Sequence, residues 1–82
     1  MDKNIEKAVG NNIRLLREAA GLTQEYVATK LQIYGCDMSR GALAKIEVGL
    51  RHLYPDEIIL LKKILNVTYD DIFYLSEDAQ DI

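Results

Sequence analysis

A chain of 82 residues and 9.3 kDa, with 49% apolar and 28% charged residues, has the make-up of one folded domain and excludes an intrinsically disordered polymer. Its formal charge of −3 and pI near 5.0 weigh against a uniformly basic nucleic-acid binder. The acid is unevenly placed, however: residues 1–69 hold ten Lys/Arg against eight Asp/Glu, and Asp70, Asp71, Glu77, Asp78 and Asp81 supply the rest.

The first element is marked by Ile5, Ala8, Val9, Ile13, Leu16 and Ala20, whose steps of three and four predict a helix over residues 3–20 that Gly21 stops. Gly10 lies inside it and suggests a kinked first turn or a separate N-terminal arm. Thr23 suits a helix N-cap, and Val27, Ala28 and Leu31 form the inner face of a short second helix over 23–31. Ser39 is another N-cap, opening a helix with Leu43 and Ile46 inside that ends near Gly49. Tyr54-Pro55-Asp56-Glu57 opens a fourth helix, with proline at the first helical position, two acids near the positive helix end, and Ile58, Leu61, Ile64 and Leu65 on the inner face. Asn66 can take a left-handed cap, and Thr68-Tyr69-Asp70-Asp71 starts a last helix carrying Ile72, Phe73 and Leu75. No alternating apolar pattern or hairpin dipeptide points to strands. The expected fold is all-α, a compact five-helix bundle, with one domain over residues 1–75 and a short acidic tail over 76–82.

The stretch YGCDMSRGALAKIEVG, residues 34–49, gathers a thiol, carboxylates, a hydroxyl and cations, and raises the question of catalysis. A nucleophilic Cys36 needs a base, and His52 is the one histidine, with no evident orienting partner. Asp37 and Glu47 stand at opposite ends of a helix, about 15 Å apart at its usual rise, too far to share a proton. One His and one Cys do not make a metal site, and no glycine-rich loop cradles phosphate. No enzymatic activity, cofactor, metal or small-molecule effector is therefore expected. A single cysteine and the lack of a long apolar run give a cytoplasmic expectation, away from membranes.

Two short helices behind a longer apolar-faced one can present the second of the pair to a DNA major groove. Its outward positions are Arg40, Gly41, Ala42 and Lys45, with Ala44 beside them. Arginine and lysine donate to guanine N7 and O6, and an alanine methyl can touch the thymine methyl. A face with a few charges is equally ordinary solvated surface, and periodicity alone leaves both readings open.

The motifs IRLLREAAGLTQEYVATKL, MSRGALAKIEVGLR and LLKKILNVTYDDIF, in that order, closely resemble the phage-repressor and Cro-like helix-turn-helix family, the Xre family, over residues 9–73. The resemblance implies double-stranded DNA as partner, Arg40, Gly41, Ala42 and Lys45 as base-facing residues, and Thr23, Gln24 and Ser39 as phosphate or positioning contacts. It implies a phosphate contact for Arg51 in the loop after the third helix, and a structural ion pair between Arg17 and Glu47. The turn Gln32-Ile33-Tyr34-Gly35-Cys36-Asp37-Met38 is longer than the family pattern. Ile33 and Met38 are expected to plug the core there with Tyr34 at its edge, the alternative being Tyr34 against a phosphate. Gly41 is a second departure, since it offers no side chain on the reading face.

The expected function is a transcriptional regulator, most simply a repressor that binds a palindromic operator as a homodimer formed through Tyr69, Ile72, Phe73, Tyr74 and Leu75. The competing reading is a protein-interaction module, an antitoxin or adaptor that keeps the fold and binds a protein through its acidic C-terminal end.

Overall fold

The computed structural model describes residues 1–76, and the acidic tail carrying Glu77, Asp78 and Asp81 lies outside the described residues. The described chain is all-α: α1 (Lys3–Ala19), α2 (Gln24–Ile33), α3 (Arg40–Glu47), α4 (Pro55–Leu65) and α5 (Tyr69–Phe73). The helix starts are set by short polar side chains that satisfy otherwise unpaired N–H groups. Thr23 Oγ1 accepts from the Tyr26 N–H at 3.0 Å and Ser39 Oγ from the Ala42 N–H at 3.1 Å. Thr68 and Asp71 cap each other reciprocally, both at 3.1 Å.

The helix ends share one geometry. In α1, α2 and α3 the chain passes through a left-handed residue, Gly21, Gly35 or Gly49, and α4 does so at Asn66. The N–H of the next residue then reaches back to a carbonyl of the last turn, as Leu22 does to Arg17 and Leu50 to Lys45.

All five helices contribute to one core: Val9 and Ile13, Val27 and Leu31, Leu43 and Ile46, Ile58, Leu61 and Leu65, and Ile72, with Met38 and Leu53 from the connections. Helix α1 is its spine, lying against α3, α5 and α4, while α2 sits between α3 and α4. Asn12 ties α5 to this spine by donating to the Ile72 carbonyl at 2.9 Å and the Tyr74 carbonyl at 2.7 Å. Ala20, expected on the apolar stripe, is an exposed cap residue instead. No helix among the described residues is long and apolar enough to cross a membrane.

Two further sequence expectations are corrected. Helix α1 runs unbroken through Gly10, so the N-terminal residues from Lys3 are not a separate arm. The glycine is needed for another reason: a Cβ there would collide with the carbonyl oxygen of Ile46, so the backbones of α1 and α3 meet at this point. The long turn also differs. Helix α2 extends to Ile33, a residue that is 69% exposed, so Met38 plugs the core without it. Tyr34 lies at the edge with Lys63 of α4 over its ring at 5.6 Å, and the Cys36 N–H closes the end of α2 on the Leu31 carbonyl at 2.8 Å. The added length is absorbed by extending α2 and anchoring the turn to α4.

The two helical glycines should therefore respond oppositely to alanine. Gly10→Ala gains helix propensity but forces α1 off Ile46, and a net loss of about 1–3 kcal/mol is expected in urea denaturation. Gly41→Ala enters open space, with Ser39 Oγ the one neighbour at 3.9 Å. It should stabilise by up to about 1 kcal/mol.

Candidate nucleic-acid interface

The placement of α3 depends on a charge at its last residue. Glu47 is buried against α1, where Arg17 grips it with two hydrogen bonds, Nε to Oε2 at 2.8 Å and Nη2 to Oε1 at 3.0 Å. The side chains are 10% and 1% exposed, so water screens this pair little. Arg17 Nη1 also donates to the Leu22 carbonyl at 2.8 Å, and Gln24 Nε2 donates to Glu47 Oε1 at 2.9 Å. Because an ionised carboxylate only accepts, the Gln24 amide nitrogen must face Glu47, which turns its carbonyl oxygen away. The Glu47 hydrogen bonds hold the Arg17 guanidinium above its usual basicity, against the opposing effect of burial. One carboxylate thus joins α1, the start of α2 and the end of α3.

With its inner face fixed, α3 turns Arg40, Gly41 and Lys45 to solvent. Ala42 is half-buried against the core and Ala44 is half-buried too, so neither methyl is fully presented. Thr23, Gln24 and Arg40 come together around one open depression between the starts of α2 and α3, with Arg17, Gly21, Leu22 and Glu25 completing its wall. The hydroxyls of Thr23 and Ser39 accept backbone N–H groups as caps, which leaves each O–H hydrogen to donate outward. Lys45 stands at the other end of α3.

Arg51 is not brought to this group. Its guanidinium grips Glu57 at 3.1 and 3.0 Å and donates to the His52 carbonyl at 2.9 Å, a pairing that raises its basicity and directs it into the α3–α4 connection. Glu57 also accepts the Tyr54 N–H at 3.0 Å, so one acid both caps α4 and holds the loop. On the other side of the connection, buried Glu6 of α1 accepts the Leu53 N–H and meets His52 Nδ1, both at 2.9 Å. The Leu53 N–H, followed by His52, holds the Glu6 carboxyl below its ordinary value despite burial. Burial pushes the Cys36 thiol up, away from the thiolate a nucleophile needs.

Sequence reasoning gave Gln24 no inward role and passed over Glu6. The signal for Glu6 was present: an acid at the helical spacing of Val9 and Ile13 sits on a buried face and needs partners. The Gln24 bond had no local signal, since it depends on where α3 ends in space. Among the described residues, no cluster of three His, Cys, Asp or Glu side chains is placed to hold a metal ion.

Residues 13–72 match the sequence profile of a family described as Helix-turn-helix. No curated protein and no solved structure matches the chain.

Removing one half of the Arg17–Glu47 pair leaves the other buried and uncompensated. Glu47→Ala should lose about 3–5 kcal/mol in urea denaturation. The double replacement Arg17→Met with Glu47→Leu should recover much of that loss, because it removes both charges and keeps the volume. A Glu47→Ala variant as stable as the parent would show that the pair is not what seats α3.

Proposed function

The chain belongs to the helix-turn-helix family of the phage-repressor and Cro-like (Xre) kind, a family of DNA-binding regulators, and we propose that it reads a specific duplex with α3 in the major groove. The observation that carries this reading is the contrast along α3. Its acid is locked inward by Arg17 and Gln24, while its two cations, Arg40 and Lys45, face solvent without an ion-pair partner among the described residues. In this proposal Arg40 and Lys45 donate to base edges, and Gly41 lets the helix backbone come close beside the half-buried Ala42. Thr23, Gln24 and Ser39 lie near the phosphates at the start of α2 and α3. Arg51 acts mainly by holding the α3–α4 connection, with 29% of its side chain left to reach a phosphate.

The simplest regulator of this kind is a repressor that occludes a promoter from a palindromic operator. One recognition helix spans only a few base pairs, so useful specificity calls for two copies. Tyr69, Phe73 and Tyr74 are exposed together with Leu15 of α1, whereas Ile72 is fully buried in the core and unavailable to a partner. Leu15, Leu16 and Tyr74 line an apolar depression beside Asn12, Asp70 and Asp71, and this is the surface proposed for the homodimer seam. The same apolar surface favours the competing reading, an antitoxin or adaptor that docks a protein there.

The two readings separate on duplexes selected from a random-sequence library. Arg40→Ala and Lys45→Ala should each cost about 1–3 kcal/mol of preference for the selected site over random DNA, with the melting temperature unchanged. Equal binding by parent and both variants would transfer the function to the protein-docking surface.

Assembly has its own measurement. Leu15→Asp with Tyr74→Asp should give monomers in sedimentation and shorten the footprint to one half-site. A parent that sediments as a monomer at every concentration, on DNA as well as free, would remove the dimer.

A further inference from the structure

Helix α1 begins nearly three turns before the region that matches the family, and those turns carry Lys3 and Lys7. The placement is unfavourable for the helix by itself. Like charges four residues apart repel, and cations at a helix N-terminus oppose its dipole. Both lysines are exposed, and neither has an ion-pair or hydrogen-bond partner among the described residues.

Tertiary structure puts them beside α3. Gly49, at φ +80°, turns the chain just after the α3 cap, and a Cβ on it would fall 2.8 Å from both Cβ and Cγ of Lys7. The Lys7 stem therefore lies on the end of the reading helix. Lys3 shares a small depression there with Leu50 and His52. The other charged side chains at this edge have partners: Asp2 on the Asn4 and Ile5 N–H groups, Glu6 on the Leu53 N–H and His52, and Arg51 on Glu57. Two unpaired ammonium groups remain.

We propose that Lys3 and Lys7 form a second phosphate contact, gripping the duplex backbone beyond the C-terminal end of α3 while Thr23 and Ser39 approach it near the start of that helix. This rests on the reading of the chain as a duplex binder. The contact carries no sequence information; it fixes the register of α3 and adds affinity on any duplex.

The test compares two variants that lose the same charge. Lys3→Gln with Lys7→Gln removes the proposed grip, and Lys62→Gln with Lys63→Gln removes the α4 lysines that stack over Tyr69 and Tyr34. Binding is followed against salt on a selected and a random duplex. The first pair should reduce the slope of log K against log salt by about 1.8 on both duplexes, with site preference kept, as two lost phosphate contacts require. Lys3→Arg with Lys7→Arg should restore the slope, and the α4 pair should change it by less than half as much. Melting of each variant at the parent temperature confirms the comparison is between folded proteins. A parental slope in the Lys3/Lys7 variant, or an equal loss in the α4 variant, overturns the grip while duplex binding stands. A parent that binds no duplex overturns both.

Discussion

The bidentate bond between Arg17 and Glu47 fixes how the rest of the molecule is used. A helix of eight residues has little stability of its own, and apolar packing through Leu43 and Ile46 alone would permit it to slide or rotate on the core. Two parallel hydrogen bonds to a planar guanidinium remove that freedom, because both oxygens of Glu47 must be met at once. Gln24 adds a third bond from α2, so the angle between the two short helices is fixed at the end of α3. Gly10 approaches the same end of α3, where α1 comes close enough to touch the Ile46 carbonyl next to Glu47. Backbone closeness and a buried charge thus both seat the C-terminal end of α3 on α1.

The charge distribution follows from this construction. Glu6, Glu47 and Glu57 are buried with their oxygens occupied, whereas Glu25 beside Arg40 and Asp37 before α3 stay exposed. Glu6 is held by the Leu53 N–H and His52, while the guanidinium groups of Arg17 and Arg51 offset the charges of Glu47 and Glu57, with Gln24 and the Tyr54 N–H adding hydrogen bonds. What reaches solvent on α3 and the start of α1 is mostly positive, through Arg40, Lys45, Lys3 and Lys7. Asp70 and Asp71, near the other end of the chain, keep their acid exposed. A net charge of −3 is therefore a poor guide to the field around α3, since it averages spent and free charges together.

Much of the fold was legible because its signals are local. Thr23, Ser39 and Thr68 cap the helices they precede, Pro55 opens α4, and Asn66 takes the left-handed position, each decided by one or two residues and the backbone beside them. The apolar periodicity likewise named Val9, Ile13, Leu31, Ile46 and Leu61 as core. Misreadings arose where a residue's role is set by a distant neighbour. Gly10 looked like a flaw in a helix and is a contact with α3. Ile33 looked like core and is exposed, because α2 continues about half a turn past Leu31, its last buried residue. The candidate site divides in the same way: Arg40, Gly41 and Lys45 could be picked as outward from spacing, whereas Ala42, read with them, packs against the core. That Arg51 is engaged by Glu57 required knowing how the loop closes.

The long connection between α2 and α3 shows why these two kinds of information separate. If the turn itself oriented the reading helix, lengthening it would spoil the presentation of α3. Here the turn is secured elsewhere, by Met38 in the core, by the Cys36 N–H on Leu31 and by Lys63 over Tyr34, while α3 takes its direction from Arg17 and Gly10 of α1. Closing a loop a few residues longer adds well under about 1 kcal/mol of chain entropy, and the Met38 side chain buried in the added segment offsets it. The sequence between the two helices is thus free to vary in length without moving Arg40 or Lys45, provided the carboxylate at the end of α3 still finds its arginine.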